Sequence, residues 1–472
     1  MHGLPYDPTV NDGTSQVQDA LRAWIERCIV ELTKHHGASP PADIWPEWLR
    51  EDEEHFVLKP NDAPGWAHLV YEQRETLQGL PEYADCMETL RSDAQIGPQL
   101  GAAVGDATHL SRMDPDHILR RLLWSLLGVS DELTFDINTF SKLASQFESE
   151  LRAEEVQYTL LAPLPAFGFE AEGLPVLLGD LEMAQLSDEE IAGVLSSGLR
   201  FDVAMYNYLS EFVGPGNGVR VRYSLPKVVM PLQADDLKFL VEENRQAADA
   251  ASKGAEDLVE KLISSLRLLK PGAISVTGAV HAHWNRLAGS ASFSRSWLRH
   301  PQPPRDSYQL SLSDHPALTD LWRDIDASVA HGQAGLQMAI RRFVASGDRH
   351  NPEDQLVDLM ICAEALFAGD PKYPGDLSYK LALRCSFFLE PGDATARRAV
   401  FDQLRRAYGA RSNIVHGNRR EKRVQKSIED GLDTLSETER IIRASLRQCL
   451  VQASQHATYG FDWDELILGH GE

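Results

Sequence analysis

The stretch Asp402-Gln403-Leu404-Arg405-Arg406-Ala407-Tyr408-Gly409-Ala410-Arg411-Ser412-Asn413-Ile414-Val415-His416-Gly417-Asn418-Arg419-Arg420 brings arginine, histidine, small polar side chains and dense positive charge together. Read as a helix, it puts Leu404, Ala407 or Tyr408, Arg411, and Ile414 or Val415 on one face, so Arg411 falls where the pattern expects an apolar residue. An arginine there needs a charge partner or a ligand. Tyr408, Ser412 and His416 form a second ladder at i, i+4 spacing. Gly417 is then a stop signal. Arg411 and His416 are separated by roughly 140° around a helix and cannot easily grip one atom from a single straight helix. Two copies facing across a two-fold axis could, because each cleft would then hold groups from both.

Helical patterns flank this stretch at about Asp320 to Ser346, Pro352 to Ala368, Leu377 to Leu389, Ala394 to Val415 and Val424 to Ala453. On the one starting at Pro352, the apolar face runs through Val357, Met360 or Ile361, and Phe367, and Glu364 interrupts it as Arg411 interrupts its own. Two opposite charges on two core-facing stripes predict a pair, in which Glu364 either orients Arg411 for a phosphate or neutralises it. Lys380 and Arg384 stand one turn apart, either as a phosphate path or as a solvated face.

With "DLMICAEALF" (358–367) and "LSYKLALRCSFFL" (377–389) ahead of "AYGARSNIVHG" (407–417), the region from Asp320 to Ser454 resembles the HEPN superfamily, most closely its ApeA-like branch from prokaryotic conflict systems. The resemblance implies a C-terminal all-α bundle, a homodimeric cleft carrying Arg-x4-His from both protomers, and metal-independent endoribonuclease activity without a cofactor. Arg411 and His416 are the catalytic candidates it implies, with Tyr408, Ser412, Asn413 and Glu364 in support. Lys380, Arg384, Arg405, Arg406, Arg419 and Arg420 are the candidates for binding RNA. It further implies antiphage defence, with tRNA a candidate target and a phage-derived protein a candidate trigger. The family also contains members that only bind RNA or dimerise, so a non-catalytic module, or a regulatory subunit of a toxin system, is the alternative.

RNA carries its own nucleophile, the 2′-hydroxyl, so its cleavage needs a proton acceptor, a proton donor and positive charge at the phosphorane. Histidine, with an ordinary pKa of about 6.5, suits the first two roles. Arginine stays charged and matches phosphate oxygens, which suits the third. Two facing histidines would serve as base and acid and leave a 2′,3′-cyclic phosphate. The competing structural reading of His416 is a C-terminal helix residue favoured by the dipole.

The 472-residue chain is long enough for two to four domains. Five scattered cysteines without a C-x-x-C pair exclude a disulfide framework and a zinc knuckle, and read as core thiols. No apolar run approaches the roughly 20 residues that span a bilayer, and the N-terminus lacks a signal-peptide pattern, so a cytoplasmic protein with no membrane partner is expected. Net charge is −24, but residues 320–472 carry 20 Lys+Arg against 23 Asp+Glu, leaving about −21 on the rest. Between Arg397 and Lys426, ten basic residues face only two acids, Asp402 and Glu421, a cationic patch on an acidic protein.

The expected fold is multidomain α+β: a mainly helical region (1–133), a mixed α/β region (134–287) that senses a trigger or restrains the nuclease, a linker or arm (288–314), and the HEPN-like bundle (315–472). Val17, Leu21, Trp24, Cys28 and Leu32 predict the first helix, closed by Gly37, and Asp114-Pro115 opens another. Ser187-x-x-Glu190 is a capping box, and Gly216-Asn217-Gly218 a turn ahead of a strand with alternating Val219, Val221 and Tyr223. Glu256 to Leu269 reads as a helix. His281 and His283 share one strand face at a spacing that can ligate a metal, but no carboxylate or cysteine cluster lies near them in sequence, so no metal site is assigned.

Overall fold

The structure, a computed structural model, describes residues 15–36, 46–50, 56–60, 65–105, 110–128, 133–164, 167–169, 175–199, 216–230, 237–272, 274, 276, 278–285, 290–296, 308–331, 333–368, 376–416, 422–455 and 460–468. Gly37, Gly417, Arg419 and Arg420 lie outside these residues.

The described residues divide between two main apolar cores. The first is helical and is built by α1 (Gln16–His36), α2 (Pro81–Ser92), α3 (Pro115–Leu127) and α4 (Ile137–Arg152). The apolar ladder of α1 is buried throughout, Val17, Leu21, Trp24, Cys28 and Leu32 included. Asp114 caps α3 by accepting from the Asp116 amide, with Pro115 in the first turn, as the sequence predicts. Phe140, Ala144, Phe147 and Leu151 of α4 complete this core, which therefore runs on to Leu151, beyond residue 133 where the sequence reading placed the change of region.

The second core is shared by a sheet, a long helix and the C-terminal helices. The sheet has β1 (Glu155–Pro163), β2 (Val176–Leu178), β3 (Leu181–Gln185), β4 (Asn217–Pro226), β5 (Ala279–Asn285) and β6 (Ser290–Ser296), in spatial order β6-β5-β1-β4-β3-β2 with every pairing antiparallel. Gly216 takes φ +83° at the predicted turn before β4. The Ser187 and Glu190 capping box forms, with amide bonds of 2.7 and 3.2 Å. Within the expected linker, β6 and a short strand, Tyr308–Leu310, which pairs in parallel with Phe167–Phe169, belong to this body.

Helix α5 (Leu237–Leu269) lies between the sheet and the C-terminal helices. Ala255, Val259, Leu262, Leu266 and Leu269 are buried at heptad-like spacing. Lys261 sits 3.7 Å from the Trp322 ring centroid, Arg443 donates to the Arg267 carbonyl at 2.9 Å, and Arg447 to the Leu269 carbonyl at 3.3 Å. The C-terminal helices are α6 (His315–Ala330), α7 (Ala334–Gly347), α8 (Pro352–Phe367), α9 (Leu377–Leu389), α10 (Ala394–His416), α11 (Lys422–Leu432), α12 (Leu435–Gln455) and α13 (Trp463–Leu468). The pattern from Asp320 to Ser346 thus resolves into α6 and α7, and that from Val424 to Ala453 into α11 and α12. All five cysteines are free and buried. Among the described residues, no helix is long and apolar enough to cross a membrane.

Candidate nucleic-acid interface

Helix α10 buries Val400, Gln403, Leu404, Ala407 and Ala410 against its neighbours and leaves its opposite side to solvent. Arg411 stands at the margin of the buried side. Its Nη2 lies 3.6 Å from Glu364 Oε1 on α8, and the two side chains keep 22% and 23% of their exposure. The predicted pair is therefore present, at the edge of the core rather than deep within it. Its guanidinium also lies 5.8 Å from the Tyr408 ring centroid. The buried Arg411 Nε has no hydrogen-bond partner among the described residues. Burial, and after it the Glu364 carboxylate, raises the pKa of the half-buried Tyr408 hydroxyl above the ordinary phenol value. Ser412 and Asn413 are half-buried.

His416 is exposed at the last turn of α10. At 100° per residue, Arg405, Gly409, Ser412 and His416 fall within about 60° of one another, whereas Arg411 points towards α8. Arg411 and His416 thus point to different faces of α10. Between them in sequence, Val415 is 53% exposed.

The exposed face of α10 runs into a groove of about 280 Å³ that it forms with α11. Arg405, Arg406, Gly409, Arg423, Lys426, Ser427 and Asp430 line it. On α11 the lining positions recur at i, i+3, i+4 and i+7, so they share one face, with the buried Gly431 at its flank against α10 and Ile428 on the far side. Gly431 is what allows the helices to close: a Cβ there would stand 2.3 Å from the Ala410 Cβ. Arg405 lies 3.8 Å from Asp376, both well exposed, and Arg406 donates to Gln403 Oε1 at 3.2 Å. Among the described residues, Arg423 and Lys426 have no ion-pair partner. Both belong to the basic run noted in the sequence, but neither was singled out there, because only the packing of α11 on α10 sets them opposite Arg405 and Arg406.

The two remaining cationic candidates separate. Lys380 is half-buried on α9. Arg384 is 4% exposed, donates to the Phe367 carbonyl at 2.9 Å, and has its guanidinium 4.9 Å from the Trp463 ring centroid. The expectation that it contacts RNA is corrected: α13 covers it, and it ties α9 to the end of α8.

A buried acid with no part in the sequence reading, Asp358 at 2% exposure, accepts from Arg342 at 3.0 Å and Arg349 at 2.6 Å, joining α7 to α8. In the sheet, His281 Nδ1 lies 2.8 Å from the Tyr223 hydroxyl and its Nε2 3.4 Å from Glu256, while His283 Nδ1 lies 3.0 Å from the Gln157 carbonyl. Burial lowers the His281 pKa against the opposing pull of Glu256. Among the described residues, no group of three or more His, Cys, Asp or Glu is placed to hold a metal ion. Compared with protein-family models, curated proteins and solved structures, the chain has no significant match.

Proposed function

We propose that this protein is an endoribonuclease of the HEPN type, acting without a metal through Arg411 and His416 at a cleft between two copies of the chain. The observation that carries the reading is the exposed His416 at the end of a helix whose open face continues into the Arg405, Arg406, Arg423 and Lys426 groove. A phosphodiester held by that charge would lie beside an imidazole able to exchange protons.

The geometry of one chain supports the two-copy reading. Arg411 faces Glu364 and His416 faces solvent, so positive charge and imidazole converge on one phosphate when a second copy supplies the other group. The exposed Val415 between them is apolar surface that a second copy would cover. Two His416 side chains would then divide the roles: one takes the 2′-hydroxyl proton, the other gives a proton to the leaving 5′-oxygen, and the Arg411 guanidinium meets the charge on the phosphorane. Glu364 orients Arg411.

A role in antiphage defence, with tRNA as target and a phage protein as trigger, extends this proposal. His416→Ala tests its core. Cleavage of RNA should fall to background while the mass in solution stays that of a dimer. A variant that cuts normally refutes the assignment; one that binds RNA as before, from a parent that never cuts, favours a non-catalytic binding module.

A further inference from the structure

We propose that the groove between α10 and α11, together with the exposed ring of Tyr379, binds an unpaired RNA strand, with phosphates along Arg405, Arg406, Arg423 and Lys426 and a base stacked on Tyr379. This deepens the nuclease reading and rests on it for the identity of the ligand.

Four cations line one groove against a single lining carboxylate, Asp430, and the second nearby acid, Asp376, is 3.8 Å from Arg405 with both partners largely solvated. Exposed pairs of that kind are weak and yield readily to a phosphate. Tyr379, in the first turn of α9, is 47% exposed. Its ring packs edge-to-face with Phe401 at 5.4 Å between centroids, and the Arg405 guanidinium lies 5.8 Å from its centroid. Phe401 thereby holds the ring in place while nearly half of the residue stays open. An exposed aromatic beside a backbone-tracking cationic groove is the combination that holds single strands, because every unpaired base offers a π-face and a paired one does not. Arg405 lies roughly 16 Å along the helix axis from His416 and on the same side, so a strand seated here leads towards the imidazole.

The test uses the full-length His416→Ala protein, so that binding is read without cleavage. The probe is a fluorescent oligouridylate of about a dozen nucleotides, compared with an RNA duplex of equal length, by anisotropy across a salt series. The oligouridylate should bind more tightly than the duplex. Arg423→Gln with Lys426→Gln should weaken it at least tenfold and reduce the salt slope by about 1.4, because each phosphate that a cation neutralises on a single strand adds about 0.7 to that slope. Tyr379→Ala should weaken it about tenfold with the slope unchanged, and Tyr379→Phe should restore it. Thermal melts matching the parent establish that each variant is folded. Equal binding of the duplex, or indifference to Tyr379→Ala, overturns the unpaired-strand assignment. Indifference to the double variant overturns the groove. Cleavage by the protein with His416 intact is scored separately: its absence refutes the nuclease reading and leaves the binding result standing, and active cleavage with an inert groove does the reverse.

Discussion

Glu364→Gln and Arg411→Met, singly and together, should show that the pair across α8 and α10 is coupled in stability but not in activity. At a separation of 3.6 Å, two unit charges attract by about 1 kcal/mol in bulk water and about 4.6 kcal/mol at an effective dielectric near 20. Each side chain keeps about a fifth of its exposure. Part of that attraction is therefore screened, and part offsets the desolvation of Arg411, whose Nε has no partner among the described residues. A net coupling of about 1–2 kcal/mol remains, above that of an exposed pair and below the 3–5 kcal/mol cost of breaking a deeply buried one. Each single variant should lower the melting temperature by a few degrees, and the double variant should recover most of the loss, because no charge is left unpaired. RNA cleavage should be lost in Arg411→Met and stay lost in the double variant. Strictly additive melting shifts would show that the two residues do not interact. Cleavage that returned with stability would show that Arg411 has no chemical role.

Gly431→Ala should cost about 1–3 kcal/mol, because its Cβ would stand 2.3 Å from the Ala410 Cβ; Ala410→Gly added to it should recover much of the loss in denaturant titrations, and no recovery would place the strain elsewhere. In the first core, the Arg152 guanidinium beside Asp93, with the Ile96 and Gln95 amides, lowers the Asp93 pKa from 3.8 to about 2. A depressed folded-state pKa contributes stability that is present above the unfolded value and lost as pH falls through the folded one. Asp93→Asn should therefore lower the melting temperature at neutral pH and flatten its fall between about pH 4 and pH 2; an unchanged acid limb would contradict this. Residues 315–472 expressed alone should be poorly soluble and melt without cooperativity, because they share one core with α5 and the sheet; a soluble fragment with a sharp transition would refute that dependence.

The pairing of Glu364 with Arg411 was legible because each charge interrupts an apolar stripe, a pattern local to its own helix. The fate of Arg384 was not. Its spacing from Lys380 suits an exposed face equally well, and the residues that meet it lie outside its own helix, Phe367 on α8 and Trp463, far off in sequence, on α13. Helix breaks were hidden for a related reason. Apolar residues recur in α11 and α12 with the same period, so the turn at Asp433 and Thr434 leaves little trace in the pattern. The stretch of α5 from Ala247 to Ala255 was not legible because it is rich in alanine and carries no large apolar residue to mark a face. The cationic run was visible as composition, but its arrangement as a groove depends on Gly431 closing on Ala410.

The central claim is that the chain cuts RNA through His416 with the substrate's own 2′-hydroxyl as nucleophile. Full-length protein should be incubated with total tRNA in excess EDTA, beside His416→Ala, and the new ends mapped chemically. The account predicts fragments ending in 2′,3′-cyclic phosphate and 5′-hydroxyl from the parent and none from the variant. Cleavage seen only after Mg²⁺ or Mn²⁺ is restored, ends carrying 5′-phosphate, or an equally active His416→Ala protein would contradict it.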